Sequence, residues 1–255
     1  MRDGTRAENP PGRNRAPIWF PDGQRVAYSQ SVDGIQEIFA QPADGSSAAV
    51  ALTQGSSGSV LPNDISPDQS ILLYTLYREA GADADIWMTR LDGAPTTGTP
   101  LIEGPADERS ARLSPDGRWL AYQSDESGRY EVYVRPFPDV SAARWQISEG
   151  GGLAPLWSGD GTELYFFVEA NGPGDRIMAV PIELGPTFRV SRPTEAIGEA
   201  DFPAPGLDGP FYDVSDDGQR FLMIRNPTGR IADDQPSFVI VQNWFEELER
   251  LVPTE

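Results

Sequence analysis

Along this chain apolar and polar residues alternate in short runs, a period of two that predicts β-strands and gives little sign of helices. Five runs come in matching register: Val26 and Tyr28, Leu72 and Tyr74, Leu120 and Tyr122, Leu164 and Phe166, Phe221 and Met223. The residue between the members of each pair is apolar too (Ala27, Leu73, Ala121, Tyr165 and Leu222). Strands apolar on both faces must be covered on both faces, which calls for sheets stacked between other sheets. Ahead of each run stands a turn signature: Phe20-Pro21-Asp22-Gly23, Ser66-Pro67-Asp68-Gln69, Ser114-Pro115-Asp116-Gly117, Ser158-Gly159-Asp160-Gly161 and Ser215-Asp216-Asp217-Gly218. Pro presets φ, Asp bonds nearby amides and Gly accepts a positive φ. Asp22, Gly23, Asp68, Asp116, Gly117, Asp160, Gly161, Asp217 and Gly218 are therefore read as structural turn residues. Three positions before each Asp stand Trp19, Ile65, Leu113, Trp157 and Val214, the apolar end of a preceding strand.

The anchoring Asp residues lie 46, 48, 44 and 57 residues apart. Periods of about 40–50 residues suit propeller blades of four strands. Within a repeat, a third strand follows at Glu37-Ile38-Phe39, Asp85-Ile86-Trp87, Glu131-Val132-Tyr133-Val134 and Arg176 to Val180. Asp44-Gly45 and Asp92-Gly93 turn the chain toward a short fourth strand, expected around Val50 to Thr53 and Trp145 to Ser148. Gly-rich links then lead to the next inner strand. The predicted fold class is all-β, a β-propeller of four-stranded antiparallel blades with five repeats, about 15–58, 59–104, 105–150, 151–205 and 206–243. These form a single propeller domain over 15–255. Residues 1–14 read as a flexible polar arm. Asn243 and Glu246 form a capping-box pattern that opens a short helix over 244–251. The long last step is accounted for by a Pro/Gly-rich loop, Asp201 to Pro210.

Composition narrows the chemistry. The 255 residues include no His and no Cys, and all 20 basic residues are Arg. Ser-His-Asp and Cys-His sites, Lys Schiff bases and P-loops are thereby excluded, and zinc or iron would lack its usual ligands. No cofactor or metal is expected. A net charge of −19 disfavours nucleic acid and anionic lipid as partners. The longest apolar stretch, Ile71 to Tyr77, is far short of a membrane span, and the first fifteen residues lack the apolar segment of a secretory signal. As written, the chain would stay where it is made, and the sequence leaves its compartment open.

Four phrases carry a family resemblance: Ser114 to Tyr122 (SPDGRWLAY), Glu131 to Pro138 (EVYVRPFP), Tyr212 to Ile224 (YDVSDDGQRFLMI) and Val241 to Pro253 (VQNWFEELERLVP). Together they resemble the TolB-like, WD40-like propellers of the PD40 repeat, above all those at the C-terminus of bacterial serine/threonine protein kinases. The resemblance spans Pro17 to Pro253 and implies six blades, often in extracytoplasmic proteins, whereas five repeats are found here and no kinase motif. The sequence leaves two arrangements open, five blades closing as a ring or a six-bladed propeller lacking its first blade. In the second case an open sheet edge would invite edge-mediated dimers.

The five repeated Asp residues occupy equivalent hairpins and are held apart, so they are not read as catalytic or calcium-binding. Ser158-Gly159-Asp160-Gly161 also fails the glycosidase-propeller box Ser-x-Asp-x-Gly-x-x-Trp, because its Gly comes one residue early. The inner-strand entrances offer candidate binding residues: Asp64, Arg112 and Asp213, each four residues before its repeat Asp, with Arg109 just upstream. They would make a mixed-charge ring for a peptide or small polar ligand. Trp19, Trp87, Trp119 and Trp157 are expected to pack between blades. The reading is a non-enzymatic scaffold or sensor that binds protein or peptide at the channel mouth. The alternative is a carbohydrate-active propeller using paired carboxylates, which need no other side chain.

Overall fold

The structure is a computed structural model that describes residues 14–78, 83–169, 175–183, 188–198, 212–224 and 238–241. The expected helix 244–251, the loop 201–210 and residues 1–13 of the expected arm lie outside the described residues. Asn14 belongs to the first strand. Among the described residues the secondary structure is all β, and no helix is long and apolar enough to cross a membrane.

Among the described residues twenty strands form five antiparallel sheets, one for each sequence repeat. Blade 1 is β1 (Asn14–Trp19), β2 (Arg25–Val32), β3 (Ile35–Pro42) and β4 (Val50–Ala51), paired in that order. Blade 2 is β5 (Ser59–Ile65), β6 (Ile71–Tyr77), β7 (Ala84–Arg90) and β8 (Thr99–Ile102). Blade 3 is β9 (Glu108–Leu113), β10 (Trp119–Ser124), β11 (Glu131–Pro136) and β12 (Trp145–Gln146). Blade 4 is β13 (Leu153–Trp157), β14 (Glu163–Val168), β15 (Arg176–Glu183) and β16 (Arg189–Val190), with β17 (Thr194–Ile197) also paired to β15. Blade 5 comprises β18 (Tyr212–Val214), β19 (Phe221–Ile224) and β20 (Phe238–Val241). The chain divides into two compact units, Met1–Glu108 and Arg109–Glu255.

The turn residues behave as their chemistry dictates. In blade 3 the Ser114 hydroxyl donates to Asp116 Oδ1 (2.6 Å) and accepts from the Trp119 amide (3.0 Å), while Asp116 Oδ1 also accepts from the Arg118 amide (3.1 Å). The same relay recurs around Ser66 and Asp68, Ser158 and Asp160, and Ser215 and Asp217. Gly23, Gly117, Gly161 and Gly218 take φ between 66° and 72°, and Gln69 takes 59° at the same place without being glycine. In blade 1 Phe20 replaces the serine and removes the hydroxyl relay. Arg25 stacks over the Phe20 ring instead, 3.8 Å from its centroid.

These hydrogen bonds favour the charged aspartate. The Asp68 carboxyl is pulled down to about 2 by the Ser66 hydroxyl, the Ser70 amide and the Ser70 hydroxyl. Asp160 and Asp217 are lowered by equivalent bonds. At Asp116 burial pushes upward, but the Ser114 and Arg118 bonds outweigh it. A depressed native pKa gives stability that is complete above the ordinary carboxylate value and fades as pH falls through the native one. For Asp68 that window runs from 3.8 down to about 2. Urea midpoints measured across this window are expected to fall less steeply for Asp68→Asn than for the parent protein; equal slopes would show that the turn charge contributes nothing.

Blades stack by one rule in both units. The leading face of a blade carries the residues three before and four and six after the repeat Asp; cross-strand pairs such as Trp157 with Leu164 set it. In the first unit the opposite, trailing face of blade 1 (Ala27, Ile38, Ala40) packs on the leading face of blade 2 (Ile65, Leu72, Tyr74). In the second unit the trailing face of blade 3 (Trp119, Ala121, Val132, Val134) packs on Trp157, Leu164 and Phe166 of blade 4. The trailing face of blade 4 (Tyr165, Phe167, Ile177, Ala179) packs on Tyr212, Phe221 and Met223 of blade 5. Trp119 and Trp157 thus lie between blades as expected, and Trp87 packs against the core shared by blades 1 and 2.

Trp19 does not. It is 62% exposed, whereas Ile65, Leu113 and Trp157 at the same repeat position are 3%, 6% and 6% exposed. Ile65 and Trp157 are covered by blades 1 and 3 of their own units, and among the described residues no sheet of the first unit covers Trp19.

Two fourth strands are shorter than their expected ranges. β4 ends at Ala51 and β12 at Gln146 because a hydroxyl then takes over from the backbone ladder: Thr53 Oγ1 accepts from the Ile38 amide (2.9 Å) and Ser148 Oγ from the Val132 amide (2.8 Å).

Candidate binding site at the inner strands

The inner strands β1, β5 and β13 are interrupted by register shifts between Arg15 and Ile18, Pro62 and Asp64, and Leu153 and Leu156. Ala16 and Ala154 take φ of 48° and 49° within such interruptions, and Ser110 takes 55° in β9. All three stand six residues before the repeat Asp, where Pro62 stands in blade 2. Left-handed backbone at a non-glycine residue costs about 1–2 kcal/mol and must be held by its surroundings. Around Ala154 the hold is visible: its amide donates to Gln123 Oε1 (2.9 Å) and its carbonyl accepts from the Tyr212 hydroxyl (2.8 Å).

Asp64 follows such a shift and Arg112 follows Ser110, whereas β18 pairs with β19 in unbroken register; Asp64, Arg112 and Asp213 all lie next to the repeat turn, at the far end of their strands rather than at the entrances. A position four residues before the repeat Asp is the last but one of its strand in all three blades, so it adjoins the turn. Asp64 is half-buried and its Oδ1 accepts the amide of Ile65 (2.8 Å). Asp213 is exposed and caps the Val214 amide in the same way (2.9 Å). It borders a recess of about 220 Å³ lined by Val214, Ser215, Arg220, Phe221 and Leu222.

Arg112 is half-buried, and its carbonyl accepts from Trp157 Nε1 (3.1 Å). Arg112 and Asp213 both act on Tyr212. Burial pushes the Tyr212 phenol far above its ordinary value, the Arg112 charge opposes that, and Tyr165 and Asp213 add to it. Arg109 stands at the other end of β9, three residues before Arg112 and so about 10 Å away along the strand. It is buried, as are Asp107 and Glu108, and all three have interaction partners. The second unit therefore brings Arg112 and Asp213 to one neighbourhood and leaves Arg109 at another level. Asp64 belongs to the first unit.

The sequence reading passed over a second set of carboxylates. Glu37 is the third residue of β3 and Glu131 opens β11, each fifteen residues after its repeat Asp, and both are buried. Glu37 accepts from the Thr53 hydroxyl (2.6 Å), the Ser56 hydroxyl (2.7 Å) and the Ser56 amide (2.9 Å). Glu131 accepts from the Ser148 hydroxyl and from the amides of Gly150 (2.9 Å) and Gly151 (3.0 Å). Asp85 holds the corresponding place in blade 2, accepting from the Gly104 amide and facing Arg78. Each ties its strand to the link that leads to the next blade. The recurring acid at the head of the third strand was the available signal.

Among the described residues no three His, Cys, Asp or Glu side chains gather as a metal site. Both oxygens of Glu37 and of Glu131 accept from hydroxyls or amides, and the turn bonds of Asp68, Asp160 and Asp217 gather on Oδ1.

No family model matches the chain, and no curated protein matches it by sequence. Solved structures do. TolB from Acinetobacter baumannii superposes with a TM-score of 0.68 at 18% identity, over 91% of this chain and 52% of that one. A puromycin-hydrolyzing peptidase from Mycobacterium tuberculosis gives 0.57 at 18% identity, over 84% of this chain and 34% of that one. The β-propeller domain of the Trilobed protease from Pyrococcus furiosus, which has an open velcro topology, gives 0.51 at 16% identity, over 91% and 69%. The chain spans about half the length of the Acinetobacter TolB. At these identities the likeness establishes the fold: all-β, a β-propeller like those of TolB and of peptidases, with five sheets that fit part of one.

Proposed function

We propose that the protein is a non-enzymatic propeller scaffold that binds a protein or peptide at the inner-strand ends, with Asp213 and Arg112 in the contact. The observation that carries this reading is the division of labour among its carboxylates. Those repeated from blade to blade hold turns and strand ties, whereas Asp213 is exposed beside the exposed, apolar Leu222. An acid next to an apolar side chain suits a peptide bearing a cation and an apolar residue. At a finer level, the phrases Ser114 to Tyr122 and Tyr212 to Ile224 support a sensor module of the kind attached to serine/threonine kinases.

Co-purification with the parent protein and with Asp64→Ala, Arg112→Ala and Asp213→Ala tests the reading. A partner retained by the parent and reduced at least about tenfold by Asp213→Ala is the expected result, as loss of a charge-assisted contact implies. Hydrolysis of a glycan panel by the parent, abolished in the same variants, would overturn it in favour of a carbohydrate-active enzyme.

A further inference from the structure

A second recess lies in the first unit, at the opposite end of the blades from the repeat turns. It has a volume of about 710 Å³ and is bordered by the start of β1 (Arg15), the β2–β3 hairpin (Ser31, Gly34, Ile35, Gln36), the link between blades (Ser56, Ser57, Gly58) and the start of β5 (Ser59). That volume lies within the range of small-ligand clefts. Its wall is fixed by packing: a Cβ on Gly58 would sit 1.9 Å from the Tyr77 carbonyl oxygen, so only glycine lets the link pass here.

The lining chemistry departs from that of the chain. The protein has 39 acidic residues against 20 Arg, yet among the described residues no carboxylate borders this recess and the one charged residue there is Arg15. Arg15 is exposed and has no ion-pair partner among the described residues. The nearby Glu37 is already saturated by Thr53 and Ser56. Ser59 donates its hydroxyl to Gln36 Oε1, and the NH2 group of this lining residue has no acceptor among the described residues. With the hydroxyls of Ser31 and Ser57, these groups form a donor-rich wall around one guanidinium. Facing it, Ile35 is 51% exposed and offers an apolar contact.

Donors around an Arg fit a carboxylate, and an adjacent apolar side chain fits a carboxylate carried on an apolar residue. We infer that this recess binds the free C-terminus of a peptide ending in an apolar residue, with Arg15 holding the carboxylate and Ile35 the last side chain. The site shares no residue with the Asp213 recess, and it stands whether or not that one binds a partner.

The test uses an N-terminally fluorescein-labelled pentapeptide, Ser-Gly-Ser-Gly-Leu, and fluorescence anisotropy with the full chain. Saturable binding is expected, weakened about tenfold or more by amidation of the peptide C-terminus and by Arg15→Gln, less by Arg15→Lys, and several-fold by Ile35→Ser. Asp213→Ala should leave it unchanged, which separates this site from the other. Circular dichroism of each variant identifies any loss that comes from unfolding. Equal affinity for the acid and the amide, retention of binding in folded Arg15→Gln, or no binding at all would overturn the inference. So would N-acetyl-leucine competing as strongly as the unlabelled pentapeptide, because the ligand would then be a small acid and not a peptide end.

Discussion

Trp157→Ala is expected to destabilise the protein by about 4 kcal/mol, and Trp19→Ala by less than about 1 kcal/mol, although both residues hold the same place in the repeat. Trp157 is 6% exposed and packs into a core with Leu164, Phe166, Val180 and Phe188. Beside it the Trp119 and Phe188 rings lie 4.8 Å apart, and the Trp145 and Phe188 rings 5.0 Å. Truncation would open a cavity in a cluster whose rings already brace one another, and it would remove the indole hydrogen bond to the Arg112 carbonyl. Trp19 is 62% exposed on the leading face of blade 1 and gives up little buried area. Urea unfolding followed by far-ultraviolet circular dichroism measures both. A loss at Trp19 as large as that at Trp157 would mean that the leading face of blade 1 is covered in solution.

That contrast also marks where the sequence stopped being informative. Alternation and turn chemistry place Val26, Leu72, Leu120, Leu164 and Phe221 on equivalent strand positions because both depend only on neighbours along the chain. Burial of Trp19 depends on a sheet that no local pattern encodes. The candidate site was legible in part. Asp213 is exposed and shares its neighbourhood with Arg112, but Arg109, three residues away on a strand, falls at another level, since a strand advances about 3.3 Å per residue and a ring needs one height. The left-handed residues Ala16, Ser110 and Ala154 were invisible because nothing in Ala or Ser announces a positive φ. Glu37 and Glu131 were visible and unread: a charged residue at the head of an apolar strand looks like a solvated end until the partners that bury it are known.

Glu131→Ala is expected to destabilise the protein by about 3–5 kcal/mol, although the residue lines neither recess. Its carboxylate is 2% exposed and gathers the Ser148 hydroxyl with the Gly150 and Gly151 amides; the exposed Arg129 stands 3.6 Å away. Removing it leaves two amides and a hydroxyl without their acceptor, and unsatisfied buried donors are penalised more than the intact bonds are rewarded. Glu131→Gln is the sharper probe. It keeps the volume but replaces one oxygen by an NH2 group, which must meet donors on at least one side. Ser148→Ala combined with Glu131→Ala should lose clearly less than the two single changes added together, because both remove parts of one network. Hydrogen exchange locates the effect: in Glu131→Gln the Gly150 and Gly151 amides should lose protection before the β10–β11 ladder does. If those two amides exchange as slowly as in the parent, or if Glu131→Gln matches the parent in urea, Glu131 is not what ties blade 3 to the link toward blade 4.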